Sequence, residues 1–240
     1  MTTKPLAPLT TEALTAPGKR PWAGYLLWIA AAGVLGFAIA AVFAGLLHWP
    51  RNIYLVPYVG LVGLFLYGFA RWSGTSILDL VRHKWIWGLV GGVLLGFWTV
   101  GNILSQPASS RSEGLSLAFD LLWVGVAYGL VDGLLLAVLP VFAAWRAFSG
   151  LGWTAHGWDK IAAGLVGMLA NLFVTVAYHL GYPECRVAGG LFGPLLGNAA
   201  MALGYIVSGN PIAATVSHIA MHIAGVLQGP ASVLQLPPHY

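Results

Sequence analysis

The chain reads as an all-α protein: a polytopic transmembrane helical bundle of about seven spans, with its N-terminus in the cytoplasm. Three observations predict this class. Hydrophobic residues fill 58% of the 240 positions and charged residues only 8%, whereas soluble domains carry about 25% charged residues. The mean hydropathy is +0.80. The apolar residues also fall in runs of about the 20 residues that a bilayer core requires. Together these spans use most of the chain and leave no room for a separate soluble domain.

Residues 1–22 hold Lys4, Lys19 and Arg20 among Pro5, Pro8 and Pro17, and read as a disordered cytoplasmic tail. The first apolar run, 24–47, is 24 residues long. A signal-peptide core has about 7–15 residues, so this run reads as a retained first span. Runs 53–70 and 85–104 follow. Between them, Asp79, Arg82, His83 and Lys84 alternate with Ile77, Leu78, Leu80 and Val81, the pattern of a short helix on the cytoplasmic surface.

The fourth run, 115–145, has 31 residues and exceeds the bilayer thickness. It is either one tilted helix or an in-plane helix over 115–127 that feeds a spanning one. Gly125, Gly129 and Pro140 offer places to bend. Runs 161–181, 187–207 and 211–227 complete the set. Asn210 and Pro211 mark the start of the last as N-cap and first helical residue. The organisation is thus a tail (1–22), an N-terminal three-span region (23–114), a core (115–228) and a C-terminal tail (229–240).

Charge placement sets the expected orientation. With the N-terminus inside, cytoplasmic segments hold Lys4, Lys19, Arg20, Arg71, Arg82, Lys84, Arg146 and Lys160. External segments hold Arg51, Arg111 and Arg186, so the count is eight against three. Arg146 reads as a snorkelling anchor. The expected location is integral to a bacterial plasma membrane, N-in and C-out, with membrane lipids as surroundings. Topology accounts for the basic residues, and nothing points to nucleic acid. Trp22, Tyr25, Trp49, Tyr54, Trp72, Trp85, Trp87, Trp153 and Trp158 cluster at run ends as an aromatic belt. Cys185 is the single cysteine, which excludes an intrachain disulfide and a paired-cysteine metal site.

Glycine occupies 32 positions, often four apart: Gly88, Gly92 and Gly96; Gly125, Gly129 and Gly133; Gly193 and Gly197. Small residues at this spacing let membrane helices approach closely. Most read as generic packing. The ridge Gly125/Gly129/Gly133 stands apart, because it flanks Asp132 and would let another backbone come near that carboxylate.

Four ionisable residues lie inside apolar runs: Asp132, His179, His218 and His222. An aspartate at bilayer depth costs at least ~2.5–3.5 kcal/mol, so it faces a bundle interior or a wet cavity. Burial tunes a carboxylate toward proton exchange near neutrality, the property of a general acid or base. Tyr128 lies one turn before it on the same face. Asn171, Thr175 and His179 form a polar stripe at steps of four. His218 and His222 in HIAMH stand one turn apart, a spacing able to hold one metal, although Ile219 takes the place of the glutamate of zinc peptidases. Asp120 lies twelve residues before Asp132, about 18 Å along a continuous helix, and cannot pair with it. His48, His83, His156 and His239 fall in connections or at the terminus and read as solvated.

The order of an acidic residue on one span, a histidine late in the next, and GNPIAATVSHIAMH on the last resembles the CPBP family of CAAX-processing and bacteriocin-immunity intramembrane proteases. The likeness covers about residues 119–227. His179 matches the histidine of the family's second motif, with Thr175 at the usual aromatic place. His218 matches the histidine of the final motif, with His222 where Asn or Asp is usual. The first motif, Glu-Glu-x-x-x-Arg, is represented by Val131-Asp132 or Asp132-Gly133, with Leu136 or Ala137 at the arginine position. The resemblance implies water-activated peptide hydrolysis in the membrane, or a divergent homologue without it. Asp132 would stand for a catalytic glutamate, His179 would share the attacking water, and His218 with His222 would stabilise the oxyanion. The substrate would be a membrane-embedded or lipidated peptide.

Two other functions fit the same residues. One is a non-catalytic membrane scaffold or binding protein. The other is a metal or haem protein, with zinc, copper or iron held by His179 together with His218 or His222, and Asp132 completing a zinc set.

Overall fold

The computed structural model describes residues 20–154 and 156–239, which are 79% helical and contain no strands. Five helices are long and apolar enough to cross a membrane: α1 (Trp22–Leu46), α2 (Arg51–Ser73), α4 (Trp85–Leu104), α5 (Gly114–Gly150) and α6 (Gly157–Leu180). Between α2 and α4 lies the short α3 (Ile77–Arg82), started by Ser76, whose hydroxyl accepts from the Asp79 N–H at 3.3 Å. Two apolar helices of 17 residues, α7 (Phe192–Ser208) and α8 (Ile212–Gln228), are each about 25 Å long. The expected tail lies outside the described residues as far as position 19, and Trp22 already belongs to α1.

The outer faces of α1, α2 and α4 are apolar. Leu27 is 70% exposed, Leu64 67% and Phe97 74%. Apolar surface on that scale demands lipid or protein around it. The fifth helix is the inner element: 78% of its apolar window is buried, against 28–44% for the other four.

Run 115–145 resolves as part of one continuous 37-residue helix, without an in-plane segment breaking away. Its winding is uneven. Two π-helical stretches, Leu121–Tyr128 and Gly133–Val138, flank the α-helical turn Gly129–Asp132. Such widened turns recur at functional sites. Pro140 lacks the N–H that would bond the Leu136 carbonyl, and Asn171 Nδ2 donates to that oxygen at 2.7 Å instead.

The helix expected over 187–207 starts five residues later, at Phe192. Gly189 adopts φ +82° there, which turns the chain after the short 3-10 helix Pro183–Arg186. The last helix, expected to begin at Pro211, begins one residue later, at Ile212. Asn210 Oδ1 accepts from the Ile212 N–H at 2.8 Å, the bond of an N-cap.

Two glycine ridges clamp α8. On α5, a Cβ at Gly129 would stand 2.9 Å from Ile219 Cα, and one at Gly133 would stand 3.2 Å from Thr215 Cα. On α4, a Cβ at Gly92 would stand 2.9 Å from Val216 Cβ, and one at Gly96 would stand 3.4 Å from Ala220 Cβ. The Gly88–Gly92–Gly96 series is therefore a specific seat for α8. Gly193 and Gly197, by contrast, meet nothing within 4 Å.

Candidate functional site

The winding of α5 presents Asp132 to the interior, where it is 5% exposed. The Tyr58 hydroxyl of α2 donates to Asp132 Oδ1. On the other side, His222 Nε2 of α8 lies 3.5 Å from Asp132 Oδ2, an ion-pair distance and not a formed hydrogen bond. His222 Nδ1 lies 3.3 Å from the Val124 carbonyl in the first π stretch. A carbonyl only accepts, so Nδ1 carries the hydrogen.

The stripe on α6 faces inward as its spacing predicts: Asn171, Thr175 and His179 are all buried. His179 Nδ1 donates to the Thr175 carbonyl at 2.8 Å, which leaves Nε2 as the basic nitrogen of a neutral ring. On α8, His218 is buried, its Nδ1 meets no hydrogen-bond partner, and its ring centroid lies 6.1 Å from that of His222.

Asp132, His179 and His218 line one cavity of about 150 Å³. Asn198 from α7 and Gln235 from the C-terminal segment also line it, and Asn198 Oδ1 is buried without a partner. The fourth candidate, His222, stands behind Asp132 and is fully buried. A cavity of this size, with these polar side chains on its wall, has room for several waters at about 30 Å³ each. The arrangement places a carboxyl group, an imidazole whose Nδ1 is committed to the Thr175 carbonyl, and a second imidazole around one cavity. Those are the elements of acid–base chemistry.

Tyrosine is what the sequence reading missed. The Tyr182 hydroxyl lies 2.6 Å from each of the Tyr54 and Tyr178 hydroxyls, donating its one hydrogen to one of them, and the Tyr128 and Tyr178 hydroxyls are 2.8 Å apart. Tyr58 stacks on Tyr54, with centroids 5.6 Å apart. The signal was available in the pairs Tyr54/Tyr58 and Tyr178/Tyr182, each four apart. Tyr54 and Tyr25, assigned to the interfacial belt, are both fully buried. An aromatic near a run end marks the interface only if its helix turns that face to lipid.

The peripheral residues are mixed. Asp120 accepts from the Ser112 hydroxyl and from Asn52 Nδ2, clear of Asp132 as expected. His156 is exposed beside Asp159. His239 is not simply solvated: it is half-buried, with Nδ1 2.7 Å from Glu184 Oε1 and Nε2 2.6 Å from the Val233 carbonyl. His83 is also half-buried, and desolvation, with Lys84 beside it, pushes its imidazole below the ordinary range.

Among the described residues, no group of three or more His, Cys, Asp or Glu side chains is placed to hold a metal ion. Comparison with protein-family models, with curated proteins and with solved structures finds no match to this chain.

Proposed function

We propose that Asp132, His179 and His218 form the acid–base centre of an intramembrane hydrolase, a CPBP-like peptidase in which one aspartate replaces the glutamate pair. One observation carries this reading: three ionisable side chains from three helices line a single cavity. In the proposed reaction a cavity water lies between Asp132 and the free nitrogen of His179. As its oxygen bonds to the peptide carbonyl carbon, its proton passes to one of these groups. The C–N bond then breaks and the leaving amine takes the proton. His218 donates to the oxyanion. The substrate, a membrane-embedded or lipidated peptide, approaches across the open face of Gly193 and Gly197.

The same reading takes α7 and α8 as the sixth and seventh spans and keeps the N-terminus inside, with Arg82, Lys84, Arg146 and Lys160 on the cytoplasmic side. The test is hydrolysis of a fluorogenic prenylated peptide by the purified protein in liposomes. Turnover that Asp132→Ala abolishes supports the reading, and equal turnover in that variant refutes it.

A second reading, a non-catalytic scaffold or binding protein, is favoured by the engagement of both Asp132 oxygens, one by Tyr58 and one facing His222. It expects no turnover from the wild-type protein, together with a loss of thermal stability in Asp132→Ala.

A further inference from the structure

A second cavity, of about 930 Å³, opens near the connections α3–α4, α5–α6 and α7–α8. It shares no lining residue with the acid–base cavity. Its size lies at the upper end of the ~300–1,000 Å³ typical of small-molecule sites. We propose that it binds an anionic phospholipid, with the phosphate held by Lys84 and Lys160 and an acyl chain laid along the apolar wall.

The lining divides by chemistry. Val141 and Phe142 of α5 and Tyr205 and Ile206 of α7 form apolar walls, whereas Lys84 and Lys160 are exposed and supply cations. No aspartate or glutamate lines the cavity. Asp159, next to Lys160, is engaged by His156 at 3.1 Å, and neither lysine has an ion-pair partner among the described residues. Two uncompensated ammonium groups over an apolar cavity complement one kind of ligand: an anion joined to hydrocarbon. A neutral lipid has no use for the lysines, and a free anion has none for the walls. Basic pockets between transmembrane helices recognise phospholipid headgroups in this way.

The position of Lys84 is also constrained. Its backbone has φ +50°, which a residue with a Cβ rarely adopts. Asn210 holds the preceding chain by donating from Nδ2 to the Val81 carbonyl at 2.8 Å and to the His83 carbonyl. Gly209, at φ +68°, lies beneath the Lys84 side chain: a Cβ there would be 3.8 Å from Lys84 Cδ. These contacts fix the backbone at Lys84, whose side chain lines the cavity.

The experiment uses the full-length protein in detergent, titrated with dioleoylphosphatidylglycerol or dioleoylphosphatidylcholine and read by native mass spectrometry. The anionic lipid is expected to bind at least tenfold more tightly than the zwitterionic one. The double variant Lys84→Gln/Lys160→Gln should bind it about thirtyfold more weakly. A second variant, Gly150→Phe, keeps both charges and fills the cavity from a lining position where a Cβ meets nothing within 4 Å. It should also lose the lipid. Equal affinity for the two lipids, or unchanged binding in either variant, overturns the proposal. Displacement of the lipid by millimolar inorganic phosphate overturns it in favour of a free anion.

Discussion

His222 Nε2 stands 3.5 Å from Asp132 Oδ2, although 90 residues separate them in the chain. Because His222 Nδ1–H is turned to the Val124 carbonyl, Nε2 is a lone pair when the ring is neutral. A proton taken up at Nε2 would be directed at Asp132 Oδ2, while the Tyr58 hydroxyl donates to the other carboxylate oxygen, Oδ1.

Asp132→Asn keeps the shape and the Tyr58 contact but removes the proton exchange. Peptide hydrolysis in liposomes is expected to fall by about 10²–10⁴-fold, the range for loss of one acid–base group. A fall of less than threefold would remove Asp132 from the reaction.

Gly129→Ala tests the seating of α8. The new methyl group would stand 2.9 Å from Ile219 Cα and 3.1 Å from the His218 carbonyl oxygen, and neither backbone atom yields easily. The expected cost is about 1–3 kcal/mol, read as a lower thermal midpoint in detergent. Gly193→Ala, which meets nothing within 4 Å, should change the midpoint little.

Asn171→Leu leaves the Leu136 carbonyl without the donor that compensates for Pro140, and should cost about 1–3 kcal/mol. Pro140→Ala restores an N–H at that point. In the double variant part of the loss should therefore return, and strict additivity of the two changes would dismiss the compensation.

Cys185 lies in the 3-10 helix after α6, and burial, reinforced by Glu184, pushes its thiol up to about 11. The thiolate is the reactive form, so at pH 8 only ~0.1% is reactive, and reactivity rises through pH 11 as the proton leaves. Maleimide at pH 7 is expected to label the unfolded chain and to spare the folded one. Rapid labelling of the folded protein would contradict this burial.

The helical class, the apolar runs, the start of the last helix just after Asn210 and the inward stripe Asn171–Thr175–His179 are all legible in the sequence, because each depends on composition or on a repeat within one segment. The sequence also singled out Asp132, His218 and His222, since an ionisable group in an apolar run is conspicuous without knowledge of its neighbours. That Asp132, His179 and His218 share a cavity while His222 stands behind is a consequence of helix packing. That outcome depends on how closely α8 seats on the α4 and α5 glycine ridges and on the π stretches that re-aim α5, both of which arise between segments or against local propensity. The tyrosine cluster belongs with these. A tyrosine near a run end suits the lipid interface and a buried hydroxyl network equally well, and helix rotation within the bundle selects between them.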